Sequence, residues 1–115
     1  MKRTLAVILL LSACTPAPTV PVGGTPTGDL RYICKGGTAL PISYARENGE
    51  DVARLTIDGA TSLLIRETEA PGLRYSWPSD GSNHVWLVNG GIGTLLWKDG
   101  TRGGRETVVL ATCRA

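Results

Sequence analysis

Residues 51–67 read DVARLTIDGATSLLIRE. Ala53, Leu55 and Ile57 alternate with Arg54 and Thr56, which is the period-two pattern of a strand with one face buried and the other in water. A second β-rich run, TSLLIRE, begins just after Asp58 and Gly59. Asp-Gly between two such runs signals a tight hairpin, because both turn residues need φ > 0 and these two types accept it. The stretch therefore predicts two antiparallel strands.

The same punctuation runs through the rest of the chain. LRYIC, TALPISYA, GLRYSW, SNHVWLVN, IGTLLWK and RETVVLATC are further short β-rich runs, and KGG, ENGE, EAPG, PSDG, NGG and DGTRGG separate them. Turn signals at a spacing of about 8–12 residues point to a sandwich or barrel. No run of ten or more residues keeps a 3.6 period, so little helix is expected. The fold class is all-β. Eight strands match a small antiparallel β-barrel whose interior is filled by side chains, occupying residues 30–115.

Upstream of the domain the composition changes twice. Lys2 and Arg3 precede the apolar run Leu5–Leu11, which is far short of the roughly 20 residues that span a bilayer and suits a signal peptide. The run ends at LSAC, which resembles the bacterial lipoprotein signal, cut just before the cysteine. Residues 1–13 are then the signal peptide and Cys14 the lipidated residue. The alternative is an ordinary secretion signal followed by a free or disulfide-bonded Cys14. Several acyl chains would hold the protein in a membrane, each buried methylene contributing about 0.8 kcal/mol. Thr15, which is not Asp, carries no inner-membrane retention signal by the same resemblance, so a diderm cell would send the protein to its outer membrane. Residues 14–29 hold four of the seven prolines (Pro16, Pro18, Pro21, Pro26) and no apolar periodicity. They read as a flexible linker reaching up to roughly 45 Å.

The chain has 12 basic and 10 acidic residues, and removal of Lys2 and Arg3 equalises them. A neutral domain lacks the basic stripe that nucleic acid requires. Cys34 and Cys113 remain after Cys14 is assigned, and an exported protein sits in an oxidising compartment, so a bridge between them is expected. Two separate buried thiols are the alternative.

Enzyme chemistry is poorly supplied. His84 is the only histidine and reads as a solvated or half-buried strand residue. With no second histidine and no spare cysteine, no zinc site of nitrogen and sulfur ligands is expected, and no other cofactor is implied. No serine lies in a nucleophile-elbow pattern. Glu67 and Glu69 have the i, i+2 spacing of paired carboxylates, but two acids at a strand end more often form a solvated edge. No catalytic activity is expected.

Six elements occur in one order: YICKGG from Tyr32, LPISY, LTIDG, PGLRYSW, VWLVNGGIGTLLW and the closing ATC. That order is similar to the membrane-bound inhibitors of C-type lysozyme, over nearly the whole domain from Tyr32 to Cys113. The resemblance implies an eight-stranded antiparallel barrel, the Cys34–Cys113 bridge, and binding of C-type lysozyme by loops that enter its active-site cleft. It also implies a partner membrane through the lipid anchor and a place in the cell envelope.

The same motifs depart from the family at two positions. The family's S-G-x-x-Y loop corresponds to Pro71-Gly72-Leu73-Arg74-Tyr75, with proline where serine stands. The W-W-x-K-G motif corresponds to Trp86-Leu87-Val88-Asn89-Gly90, with asparagine where lysine stands. In the family that serine and lysine face the two catalytic carboxylates of lysozyme. Pro71 has neither a hydroxyl nor an N–H. Asn89 can donate through its amide but cannot neutralise a charge. Loss of one partner of a buried charge pair costs about 2–5 kcal/mol, roughly a thirtyfold to several-thousandfold loss of affinity. Arg74 and Lys98 are the candidate compensating cations, and Arg74 also reads as a cross-strand surface residue. The expected function is inhibition of lysozyme by occlusion of its cleft. The alternative is a diverged, non-inhibitory barrel that binds another envelope protein or a cell-wall glycan.

Overall fold

The computed structural model describes residues 25–68 and 72–115. Eight strands follow in chain order: β1 (Gly28–Ile33), β2 (Ala39–Glu47), β3 (Glu50–Ile57), β4 (Ala60–Arg66), β5 (Leu73–Ser76), β6 (Asn83–Asn89), β7 (Ile92–Asp99) and β8 (Arg105–Cys113). One turn of 3-10 helix, Gly100–Arg102, is the only helical piece among the described residues. The strands form a single sheet in the order of the sequence, each antiparallel to the next. The all-β, eight-stranded antiparallel architecture is thus as the sequence predicts, in the form of a curled half-barrel.

Turn chemistry sets the register. Asp58 and Gly59 have φ of 49° and 78°, and Gly90 and Gly91 have 58° and 80°. Both angles are positive in each pair, the two-residue turn whose twist matches that of the flanking strands. The first turn closes Ile57 onto Ala60 and the second closes Asn89 onto Ile92. A one-residue slip would turn Ala53, Leu55 and Ile57 outward, so burial of that row reinforces the same register.

The concave face is the core. Tyr32, Leu55, Leu64, Tyr75, Trp86 and Leu95 are all fully buried there. Three aromatic side chains satisfy one another: Trp86 Nε1 donates to Tyr44 Oη at 2.7 Å, and the Tyr32 and Tyr44 hydroxyls lie 2.9 Å apart. Burial pushes the Tyr44 phenol well above its ordinary pKa, so it stays neutral. Gly93 is the floor beneath this cluster, since a methyl group at that position would overlap the Trp86 ring.

The curled sheet closes over one short seam. Ile33 and Arg114 form an isolated antiparallel bridge, with N–O distances of 2.8 and 3.0 Å, and Lys35 N donates to Ala111 O at 3.0 Å. Cys34 and Cys113 are disulfide-bonded beside the bridge, their Cα atoms 3.8 Å apart. The ordered domain also starts earlier than residue 30. β1 opens at Gly28, Pro26 is buried, and the Arg66 guanidinium donates to the Thr25 hydroxyl. The last few residues of the stretch read as linker are therefore part of the fold.

Two stability predictions follow from this core. Gly93→Ala should destabilise the domain by about 2 kcal/mol or more, because Trp86 is fully buried and held by its bond to Tyr44 and so has little room to yield. A denaturant midpoint equal to that of the unmodified chain would contradict the tight contact. Replacing Cys34 and Cys113 by serine opens a loop of sequence separation 79. The expected loss is about 4.5 kcal/mol from chain entropy, and a loss under about 1 kcal/mol in urea unfolding would show that the seam holds without the bridge.

Candidate functional site

The pairing of Leu73 with Val88 fixes the relation of the two motif turns. One step further along the same ladder, Gly72 stands opposite Asn89. A Cβ on Gly72 would overlap Asn89 Oδ1, and Gly72 has φ of 72°, which an L side chain adopts only with strain. The backbone angle is the reason for glycine there, since the exposed Asn89 side chain is free to turn aside. Asn89, Gly90 and Gly91 form the β6–β7 hairpin beside it, and all of these residues are exposed. The structure brings Gly72, Asn89 and Gly90 together on one rim of the sheet. Pro71 and Cys14 lie outside the described residues, as does Glu69.

Tyr75 and Arg74 take opposite faces of β5. Tyr75 points into the core and is fully buried, and burial pushes its hydroxyl up to about 12. Its place is in the frame beneath the rim. Arg74 lies on the convex face, where its guanidinium donates to both Glu67 and Glu106. Glu67 also accepts the Ser76 hydroxyl at 2.9 Å, and its backbone N–H donates to Arg74 O at 2.8 Å. β5 and β8 are not neighbours, so the Arg74–Glu106 bond crosses the convex face of β6 and β7. Val85 and Leu96, on that face by register, are buried although they lie outside the core cluster. Arg74 thus serves as a clasp at the base of the 67–72 loop.

Three more arginines around the sheet are also engaged. Arg46 pairs with Asp51 at 3.1 Å and Arg66 with Asp51 at 3.6 Å. Arg54 makes a two-pronged bond to Glu47 at 2.5 and 2.8 Å. Lys98 sits on β7 opposite Glu106 and Asn83, toward the rim remote from the β6–β7 hairpin. Neither cation considered from sequence therefore stands free at the motif turns. Asn89 brings an amide and no charge.

His84 is half-buried on β6, its ring 5.0 Å from Trp97 in an edge-on contact. Burial holds it below the ordinary histidine pKa. Among the described residues, no three His, Cys, Asp or Glu side chains are grouped to hold a metal ion. Of the tryptophans, Trp86 is core, whereas Trp77 and Trp97 are 38% and 37% exposed. The sequence motifs gave no sign of Glu106, which lies 32 residues beyond Arg74, nor of Gly93 beneath Trp86. The first contact joins β5 to β8, which are not neighbours in the sheet; the second is a diagonal contact between the paired strands β6 and β7.

The structure is a stapled antiparallel meander with Gly72 apposed to the β6–β7 hairpin on one rim. Residues 32–102 match the family described as the membrane-bound lysozyme-inhibitor of c-type lysozyme. The chain belongs to this family, which is one of inhibitors and not of enzymes. It is also similar to a protein of Cupriavidus necator named membrane-bound lysozyme inhibitor of C-type lysozyme. The two are 29% identical over 119 residues, covering 98% of this chain and 90% of that one.

The clasp carries a pH prediction. The hydrogen bond from Arg74 holds the Glu106 carboxyl below its ordinary value of 4.5. A depressed folded pKa gives stability that is present above the ordinary value and is lost as pH falls through the folded one. Glu106→Gln should lower stability at pH 7 by about 1 kcal/mol, the range of partly exposed pairs. It should also flatten the decline in melting temperature below about pH 4.5. An acid limb of the same steepness in both proteins would count against the clasp.

Proposed function

We propose that this protein is a lipid-anchored envelope protein that binds C-type lysozyme and occludes its active-site cleft with the rim formed by Gly72 and residues 89–92. The observation that carries the reading is the apposition of Gly72 and Asn89. Gly72 meets the tip of the β6–β7 hairpin on one exposed edge, and the family to which the chain belongs is named for inhibition of this enzyme. A lysozyme cleft places two carboxylates on either side of the scissile bond, so a rim that enters it must satisfy acids. Asn89 offers an amide donor, and Pro71 offers none.

Signal-peptide removal before Cys14 and acylation of its thiol would make the protein membrane-bound, as the name of the Cupriavidus necator relative states of that protein. Without an aspartate at position 15, the outer membrane is the destination in a diderm cell. The tether would comprise the proline-rich residues that precede Thr25, a limit supported by the Arg66–Thr25 hydrogen bond and the burial of Pro26.

Inhibition titrations test this reading with the full chain in mild detergent, a C-type lysozyme and a cell-wall substrate. The unmodified chain should inhibit, and Asn89→Lys should inhibit more strongly by roughly tenfold, the gain expected of one charge-assisted hydrogen bond. Pro71→Ser should add less, since it restores a hydroxyl and not a charge. The lysine's gain should shrink as salt rises. If neither the unmodified chain nor the Pro71→Ser/Asn89→Lys protein inhibits, the rim is not an inhibitory surface, and the alternative of a non-inhibitory binding barrel takes its place.

A further inference from the structure

The hairpin that carries Asn89 has a neighbour outside both motifs. Gly93 pairs with Cys113, so Arg114 lies beside Ile92, the residue that closes the hairpin onto Asn89. On its other side Arg114 is bridged to Ile33 through both backbone hydrogen bonds. Cys113 and Gly93 face the core, since Cys113 is fully buried and Gly93 abuts Trp86. Alternation then places Arg114 and Ile92 on the convex face, and Ile33 joins them because Tyr32 points inward. The result is a cross-strand row of Ile33, Arg114 and Ile92, contiguous with the proposed rim.

Each member of this row is exposed. Ile33 and Ile92 are 45% and 38% accessible, and Arg114 is exposed and has no ion pair among the described residues. The contrast with Arg46, Arg54, Arg66 and Arg74 is sharp, as each of those is held by a carboxylate. The backbone of Arg114 is nevertheless fixed by the bridge and the adjacent disulfide, so little backbone freedom is lost when the side chain is used. A guanidinium matches a carboxylate through two parallel hydrogen bonds and is more weakly hydrated than an ammonium. Two flanking isoleucines would exclude water from such a contact and strengthen it.

We infer that Arg114, flanked by Ile33 and Ile92, extends the binding rim and supplies the cation that position 89 lacks, pairing with a carboxylate of the lysozyme cleft. This rests on the reading of the rim given above. The residue lies beyond the segment that matches the family, which ends at residue 102, so the inference draws on this chain's own geometry and not on the family match. Charge complementarity selects the occupant: an acidic cleft suits a lone guanidinium with apolar shoulders, whereas a basic or neutral surface leaves it buried and unpaired.

The test measures inhibition by the full chain and its variants at low and high salt. Arg114→Gln should weaken inhibition by roughly tenfold at low salt, the value of a hydrogen bond to a charged group, and by less at high salt. Arg114→Lys should retain most of the inhibition. Ile92→Ser should weaken it severalfold, whereas Val108→Ser, at the most exposed apolar residue and away from the row, should not. In an Asn89→Lys background the loss from Arg114→Gln should be smaller, because a second cation then serves the same acids. A merely structural arginine would not show that coupling, and the melting temperature of Arg114→Gln should match that of the unmodified chain. The inference is overturned if the unmodified chain inhibits and Arg114→Gln inhibits equally well at both salt concentrations. If neither the unmodified chain nor the Pro71→Ser/Asn89→Lys protein inhibits, the rim reading itself falls and takes this inference with it, a result distinct from the first.

Discussion

A curled eight-stranded meander has two free edges, and the described residues join them where Ile33 bridges Arg114, Lys35 donates to Ala111 and Cys34 is bonded to Cys113. The seam is short, because β1 and β8 are staggered and share no longer ladder. Much of the fold depends on it. It brings the first and last strands of the sheet together and holds Tyr32 over Trp86, the two rings 5.0 Å apart and nearly perpendicular. It also sets β8 close against the β6–β7 hairpin. A domain of this size buries a modest core, so a covalent link that spans almost the whole chain contributes a large share of its stability. The same link positions the functional rim.

Charge is spent largely on the frame. Arg46 and Arg66 converge on Asp51, Arg54 is gripped by Glu47, and Arg74 spans two carboxylates across the convex face. These pairs tie neighbouring strands together, and the Arg74 clasp holds the base of the loop that precedes Gly72. They also remove four guanidiniums from use in binding. What the rim presents is backbone at glycine turns, the Asn89 amide and the row centred on Arg114. That inventory differs from a serine and a lysine at the two motif positions, and it moves the cationic contact from the hairpin tip to the strand beside it.

Much of this was legible in the sequence because it is local. Alternation in residues 51–57, the Asp58-Gly59 and Gly90-Gly91 turns, and the spacing of the glycine-rich breaks are short-range signals, and each strand runs close to where they place it. The cysteine pairing followed from compartment and elimination. The motif frame of Gly72, Tyr75 and Gly90 was visible as well, although Tyr75 proves to be core. What the sequence could not display is contact between distant strands. The partner of Arg74 is 32 residues away, Gly93 owes its identity to a ring on the adjacent strand, and Arg114 reaches the rim only through the stagger of the seam. Pattern reading assigned the linker up to residue 29 from its prolines, but burial of Pro26 and the Arg66–Thr25 bond depend on a surface that exists only after folding.

The central claim is that one contiguous edge, running from Gly72 through Asn89–Ile92 to Arg114, meets the lysozyme. Amide chemical shifts of the isotope-labelled protein, followed as a C-type lysozyme is added, address that claim residue by residue. The account predicts that the amides of Gly72, Asn89, Gly90, Ile92 and Arg114 shift or broaden first, together with that of Ile33 across the seam. Perturbation confined to the opposite rim, at Ser79–Ser82 and Gly100–Gly104, with the motif turns and Arg114 unchanged, would contradict it.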